Sequence, residues 1–239
     1  VPVVEFKSGS QEIGNKDSIM YTDTNESDSQ ANANKIWTCK YTAHEDDTDG
    51  IVTFTLDVKD AAGNAGQRKA NVTDGTSVVA DKTKPNVVDV SIMSSSNVKS
   101  TLASAKQQDG KTALMLPKGW NNKSNAATTY DNVTLTITAD EFIVQPIVVF
   151  KVGGQQANAT VAYTDTKEDD SQANANKIWS AMYTVHNDDK DGVVTFSLMY
   201  KDAAGNDGVT KTNVTDGTSV YADTTKPNVT VSIDSSNSL

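Results

Sequence analysis

The chain has 239 residues and a formal net charge of −10 at pH 7, with 21 Lys and Arg against 31 Asp and Glu. Its basic residues are scattered, which excludes the clustered basic surface that nucleic-acid phosphates require. No apolar run approaches the roughly 18 residues of a membrane span, so we expect no membrane insertion in this segment. The single Cys excludes an internal disulfide framework. An acidic chain rich in Thr and Asn favours an extracellular or cell-surface location.

A long internal repeat dominates the sequence. Tyr21–Pro85 matches Tyr163–Pro227 at a constant offset of 142, with 47 of 65 positions identical. The decapeptide DSQANANKIW occurs in both copies, at Asp28–Trp37 and at Asp170–Trp179. Because the identity extends far beyond the decapeptide, we interpret the decapeptide as part of a duplicated scaffold. It reads as a turn-rich loop that leads into a strand, whose Trp points into the core.

The positions of the two copies along the chain predict the domain boundaries. Residues 1–84 form an N-terminally incomplete domain that lacks its first strands. Residues 86–224 form one complete copy with an insert at 103–129. Residues 228–239 begin a third repeat, so a longer array of such domains is the simplest interpretation.

Within the complete copy, apolar and polar residues alternate in seven short stretches with turn-rich sequence between them, which predicts half-buried strands. The predicted inward positions are, in chain order, Val88, Val90 and Ile92; Val133, Leu135, Ile137 and Ala139; Val148, Phe150 and Val152; Ala159, Val161 and Tyr163; Trp179, Ala181, Tyr183 and Val185; Val194, Phe196, Leu198 and Tyr200; and Val220 and Ala222. The pattern predicts an all-β fold of tandem antiparallel β-sandwiches with about seven strands each.

Four linked motifs of the complete copy carry a family resemblance. They are DGVVTFSL at Asp191–Leu198, KDAAGN at Lys201–Asn206, TDGTSV at Thr215–Val220 and DTTKP at Asp223–Pro227, and the first copy carries the same series. They resemble the bacterial immunoglobulin-like domain repeats of large extracellular surface and adhesin-type proteins. The resemblance implies immunoglobulin-like sandwiches arranged head to tail, which serve as spacers or binders, and it implies no catalytic residues. The long stretch Ala103–Thr129 departs from the family, whose first strand usually leads quickly to the second.

That insert contains the most apolar irregular segment of the chain, Ala113–Trp120. The segment is interpreted in two ways. It is an extra edge strand that covers the sandwich and ends at Pro117, or it presents Trp120 to a glycan or protein ligand. Packing is favoured, because large exposed apolar patches are uncommon.

Carboxylates recur at equivalent places in the two copies. The DAAGN runs at Asp60–Asn64 and Asp202–Asn206 favour hairpin turns, since Gly and Asn tolerate positive φ and Asp closes an Asx-turn. The acidic clusters at 45–50 and 188–192 do not match an EF-hand loop, which needs a Glu at its twelfth position, and are interpreted as solvated turns. The alternative is a calcium ion held at domain junctions. Its candidate ligands are Asp60, Asp81, Asp202 and Asp223. No cofactor is otherwise required.

The remaining candidate residues favour simple interpretations. One His per copy, His44 and His186, is too few for a transition-metal site and predicts a surface residue at a strand end. Cys39 stands where the other copy has Ala181 and predicts a buried packing position. Glycosylation candidates are given by seven Asn-x-Ser/Thr sequons, at Asn25, Asn71, Asn122, Asn132, Asn158, Asn213 and Asn228.

These observations predict a structural segment of an extracellular stalk, adhesin or filament, which acts as a rigid spacer. Alternatives are a glycan- or protein-binding module that uses the insert, or an accessory module of a larger secreted enzyme. We expect no catalysis by the chain itself, because no acid–base or nucleophile arrangement is discernible. The expected partners are neighbouring repeats, identical subunits, or a surface glycan or protein. Pro227–Ile233 resembles Pro85–Ile92, so strand donation between subunits is a further possibility.

Overall fold

The computed structural model describes residues 1–13, 16, 19–23, 35–96, 124–157, 159–166 and 176–234. The chain divides into two compact units, Val1–Thr83 and Lys84–Leu239, called unit 1 and unit 2 below. Over the described ranges the regular structure is strand, and none of these residues lies in an α-helix. The prediction of an all-β fold is therefore confirmed. A helix long and apolar enough to cross a membrane is likewise not found among the described residues.

Unit 1 contains two separate sheets. Its strands are β1 (Val3–Ser8), β2 (Gln11–Glu12), β3 (Met20–Asp23), β4 (Trp37–Lys40), β5 (Gly50–Asp57) and β6 (Val79–Ala80). One sheet has the order β2-β1-β5-β6, and the other is the pair β3-β4. All the strand pairs described for this unit are antiparallel.

Unit 2 is a two-sheet, sandwich-like structure. Its strands are β7 (Val87–Ser94), β8 (Ser124–Ala127), β9 (Asn132–Ala139), β10 (Ile147–Val152), β11 (Gln155–Gln156), β12 (Ala162–Asp165), β13 (Ile178–Thr184), β14 (Gly192–Met199) and β15 (Ser219–Ala222). One sheet has the order β11-β10-β14-β15-β8, and the other β12-β13-β9-β7. Buried side chains from both sheets form a single hydrophobic cluster.

Strand β9 shows how the alternating sequence builds this core. Val133, Leu135 and Ile137 have no exposed surface, while the intervening Thr residues are half-buried. The neighbouring strand β13 behaves in the same way, with Trp179, Ala181 and Tyr183 inward. A period of two places alternate side chains on one face of a sheet. Each of the seven predicted stretches contains a strand, although the one predicted from Ala159 begins only at Ala162.

The first of these strands differs from its prediction at one residue. Val88 was expected to point inward, but its side chain is 51% exposed and Val87 is buried instead. A register shift between Val87 and Asp89 explains the difference. Such a bulge adds a residue to one strand and inverts the alternation on one side of it.

The end of the insert adds a strand that the sequence pattern did not predict. Strand β8 lies within the predicted insert at 103–129 and pairs with β15 in parallel, with Val220 opposite Asn125. The expectation of wholly antiparallel sheets was therefore wrong at this pair. Six other strands separate β8 from β15 along the chain, so the two are not joined by a short hairpin, which would require the antiparallel direction.

The outer edge of β7 is closed by hydroxyl groups. The backbone N–H of Val90 donates to Thr215 Oγ1 at 2.9 Å, and that of Ile92 donates to Thr218 Oγ1 at 2.9 Å. The N–H of Thr215 donates in turn to the carbonyl of Val90 at 2.8 Å. The segment at 215–218 thus satisfies edge groups that would otherwise be open to further strand pairing.

Two glycines allow the backbone to approach itself closely beside β10 and β14. Gly153 and Gly192 both have positive φ, 55° and 152°. A Cβ at position 192 would lie 2.6 Å from the Cα of Gly153. Gly9 and Gly50 form the same contact in unit 1, where the corresponding distance is 2.8 Å.

Candidate functional site at the turns and the linkers

The DAAGN runs form the predicted turns, closed by their own Asp. In unit 2, one Asp202 oxygen accepts from the N–H groups of Gly205 at 2.7 Å and Asn206 at 2.9 Å, and the other accepts from Asn206 Nδ2 at 2.7 Å. Asp60 accepts from the N–H and Nδ2 of Asn64 in unit 1, both at 2.8 Å. These carboxylates act first as acceptors that close a turn.

The two turns differ in burial. Asp202 is only 2% exposed, and a β-bridge joins it to the buried Ile143. Asp60 is exposed, and its hydrogen bonds with Asn64 hold the pKa of the carboxyl below its ordinary value. A carboxyl oxygen of Glu141 lies within 4.8 Å of one from Asp202. Glu141 was not predicted from the sequence, where its only signal is its place just after the end of β9.

A second Asp in each unit holds the segment that follows the unit's last strand. In unit 1, Asp49 accepts from the N–H of Lys82 at 2.9 Å and also from the hydroxyl of Thr83. In unit 2, Asp191 accepts from the N–H of Thr224 at 2.7 Å and from the hydroxyl of Thr225 at 2.5 Å. We call each set, one Asp with its two linker residues, a linker clamp.

The pKa of each clamp carboxyl is lowered, which favours its ionised form. The Thr83 hydroxyl, followed by the Lys82 N–H, lowers the pKa of Asp49. The Thr225 hydroxyl, followed by the Thr224 N–H, lowers the pKa of Asp191. Hydrogen bonds donated to a carboxylate stabilise its charged state, so both clamps are made throughout the neutral range.

The two linker residues Asp81 and Asp223 stabilise the same segments locally. Asp81 accepts from the N–H of Thr83 at 3.0 Å, and Asp223 accepts from the N–H of Thr225 at 3.1 Å. Each is an Asx-turn onto the second residue along the chain. The four calcium candidates thus each lie on a backbone turn, Asp60 and Asp81 in unit 1 and Asp202 and Asp223 in unit 2.

The acidic clusters also form turns. The N–H of His44 donates to Asp47 at 2.7 Å, and that of His186 donates to Asp189 at 2.8 Å. Both His side chains are exposed, as the sequence predicted. The prediction of a solvated turn was wrong at Asp47, which is only 4% exposed because its carboxylate accepts the His44 N–H from within the turn.

Cys39 is less buried than expected. Its counterpart Ala181 has no exposed surface, whereas Cys39 is only half-buried. The prediction of a fully buried packing position was wrong, because the face of unit 1 that carries Cys39 is more open than its equivalent in unit 2. Partial burial nonetheless raises the pKa of the Cys39 thiol, against a smaller opposite effect of Tyr21.

The glycosylation candidates differ in exposure. Asn71, Asn213 and Asn228 are exposed, whereas the amide oxygen of Asn132 accepts from the Thr184 hydroxyl at 2.8 Å. Asn25, Asn122 and Asn158 lie outside the described residues, as do Trp120 and the segment at 113–120 that the two interpretations of the insert concern.

No protein-family model matches the chain, and no curated protein matches it. The function is therefore inferred from the contacts that the chain itself makes.

Proposed function

We propose that this chain is a structural segment of an extracellular stalk, adhesin or filament. Its units act as immunoglobulin-like sandwich repeats that serve as rigid spacers in a head-to-tail array, and the chain has no catalytic role. The observation that carries this proposal is the linker clamp, which occurs at the end of both units. A spacer must fix the direction in which the chain leaves each domain, and the clamps supply that constraint.

The clamp restrains several consecutive residues at once. Asp191 holds Thr224 and Thr225 from the body of the sandwich, while Asp223 holds the turn from within the linker. A proline follows in each linker, Pro85 and Pro227, and its ring fixes φ near −65°. A linker with hydrogen bonds at two residues and a fixed φ at the proline two positions further on loses much of the freedom that a flexible tether needs.

The hydrogen bonds inside the sandwiches are copied as well. The N–H of Val4 donates to the Tyr21 hydroxyl at 3.0 Å, and that of Val148 donates to the Tyr163 hydroxyl at 2.9 Å. Each pair joins strands of different sheets. A duplicated scaffold of this kind supports a function that depends on the number of repeats and on the stiffness of the array, as it does in repeat proteins.

The surface supports an extracellular setting. The net charge of −10 keeps the chain soluble, and the exposed sequons at Asn71, Asn213 and Asn228 are available to a glycan. We further propose that neighbouring repeats are the main partners of each unit.

Small-angle X-ray scattering tests the spacer proposal on chains that contain two, four and six copies of residues 86–227 in series. A stiff array predicts a maximum dimension that grows in proportion to the number of copies. Growth with about the square root of that number is the behaviour of a flexible chain and would count against the proposal.

A further inference from the structure

The first strand of unit 2 lies beside the segment that leads into its last strand. Strand β7 begins at Val87, just after the linker that enters the unit, and β15 ends at Ala222, just before the linker that leaves it. Residues 215–218 run directly into β15 and are hydrogen-bonded to the outer edge of β7. The two ends of the unit are therefore bonded to each other.

These two segments run in the same direction. Val90 bonds to Thr215. Ile92, two residues further along β7, bonds to Thr218, three residues further along its own segment. The chain enters at the start of β7 and leaves at the end of β15, so tension on the two linkers pulls the segments in opposite directions along a common axis. Hydrogen bonds between neighbouring segments run across that axis, so they share the force and do not open one after another.

Each of the two hydroxyls in this contact is itself held by a carboxylate. The Thr215 hydroxyl donates to Asp89, and the Thr218 hydroxyl donates to Asp216 at 2.7 Å. Hydrogen bonds to a charged acceptor are stronger than those between neutral groups. They use the single hydrogen of each hydroxyl and leave its oxygen to accept from β7. We call the two threonines and the two aspartates together the hydroxyl lock.

The lock joins the two sheets of the sandwich. Strand β7 pairs with β9 in one sheet, and β15 pairs with β14 and β8 in the other. The N–H of Asp223, the first residue after β15, also donates to the carbonyl of Ala127 in β8 at 2.8 Å. Each end segment is thus anchored in its own sheet, and the lock connects the sheets where an external force would enter and leave.

We propose that the hydroxyl lock gives unit 2 a second function, which is to resist tension applied through its two linkers. Forced unfolding is governed by the rate at which the fold opens and not by its equilibrium stability. The contacts that matter most are therefore those that must break before the chain can lengthen, and the lock is such a contact. Resistance to pulling differs from the resistance to bending proposed above, and it rests on unit 2 alone.

Single-molecule force spectroscopy on the full chain, held by its two termini, measures this resistance. Opening of unit 2 is recognised by its length, because Val87–Ala222 releases about 450–490 Å of extended chain. Unit 1, Val1–Thr83, releases at most about 300 Å. At constant force, Thr218→Val should shorten the lifetime of unit 2 at least about five-fold, since it leaves the N–H of the buried Ile92 without its acceptor.

The matched control removes a hydroxyl from another place in the same unit. The Thr184 hydroxyl donates to the amide oxygen of Asn132 at 2.8 Å, between β13 and β9. Because this bond does not connect the two end segments, Thr184→Val should leave the lifetime under force nearly unchanged. Urea unfolding of both variants shows that each is folded before it is pulled.

A change of pulling direction tests the geometry with the lock intact. In the variant Cys39→Ala/Lys190→Cys, one handle is attached at the exposed position 190, just before β14, and the other at the C-terminus. Gly192 of β14 lies directly opposite Ala222 of β15, so this force opens an antiparallel pair from its end, one hydrogen bond at a time. Unit 2 should yield at a clearly lower force than when it is pulled through its two linkers.

Three results would overturn the proposal. They are an unchanged lifetime under force in Thr218→Val, an equal loss of lifetime in Thr184→Val, and the same opening force in both pulling directions. Lower urea stability of Thr218→Val together with an unchanged lifetime under force would show that the lock stabilises the fold without resisting tension. None of these results bears on the stiffness of the array, which the scattering experiment measures without force.

Discussion

The buried turn at Asp202 gives the most informative comparison between a structural carboxylate and a metal ligand. The variant Asp202→Ala removes three hydrogen bonds, two from backbone N–H groups and one from the Asn206 amide. At a net value of about 1 kcal/mol each, we expect unit 2 to lose about 3 kcal/mol of unfolding free energy. For a unit of this size, that loss lowers Tm by about 6–12 °C.

Urea unfolding in the presence of EDTA measures this loss. Trp179 is buried, and its Nε1 donates to the carbonyl of Asn176 at 3.1 Å, so its fluorescence reports on unit 2. Trp37 and Trp120 are first replaced by Phe, which leaves this one reporter. Asp202→Ala should then lower the urea midpoint without changing the slope of the transition.

The equivalent substitution in the exposed turn is the control, and it is followed by the fluorescence of Trp37 with Trp120 and Trp179 replaced by Phe. Asp60→Ala removes contacts of the same kind, but water can replace them, so we expect a clearly smaller loss of unfolding free energy in unit 1. The reasoning would be refuted if Asp202→Ala had no effect in EDTA and instead abolished a stabilisation by added calcium. That result would mean that Asp202 stabilises unit 2 mainly by binding an ion and not by closing the turn.

Two further predictions concern the close glycine contact and the clamps. Gly192→Ala should lower the unfolding free energy of unit 2 by about 2–4 kcal/mol, because it adds a clash with the Cα of Gly153 to the strain of a positive φ. The control is Gly205→Ala, whose added Cβ meets no atom within 4 Å and which should lower the unfolding free energy less in the same urea assay. Equal losses of unfolding free energy in the two variants would contradict the clash. The lowered pKa of Asp191 means that its clamp is fully made above the ordinary Asp value of 3.8 and is lost as the pH falls through the lower folded-state value. The amide NMR signal of Thr224 should accordingly shift with a midpoint below pH 3.8, and a midpoint well above that value would contradict the assignment.

The strands could be predicted from the sequence because each depends on a local pattern. The alternation of Val133, Leu135 and Ile137 specifies one buried face whatever the neighbouring strand is. The two DAAGN turns are equally local, since the Asp, Gly and Asn that make them lie within five residues. Both features therefore follow from adjacent residues alone.

The features that could not be predicted depend on distant parts of the chain. The bulge that turns Val88 outward exists because β7 must match the register of β9, more than forty residues away. The partners of Asp49 and Asp191 lie 33 or 34 residues further along the chain, and no spacing rule links them. Asp81 and Asp223 differ from these two, because their hydrogen bonds to Thr83 and Thr225 are local Asx-turns and only their position beside the Thr-Lys-Pro linkers was noted from the sequence.

We expect the clamps to stiffen the connection between units, and this stiffness can be measured directly. Spin labels are placed at the exposed, equivalent positions Thr53 and Thr195 as Cys variants in a Cys39→Ala background, and pulsed electron paramagnetic resonance gives the distance distribution between them. We expect a narrow distribution in the parent protein. It should broaden in Asp49→Ala, whose clamp holds the linker before unit 2, and stay narrow in Asp191→Ala, whose clamp lies after unit 2. A broad distribution in the parent protein, or equal widths in all three proteins, would show that the clamps do not stiffen the linker.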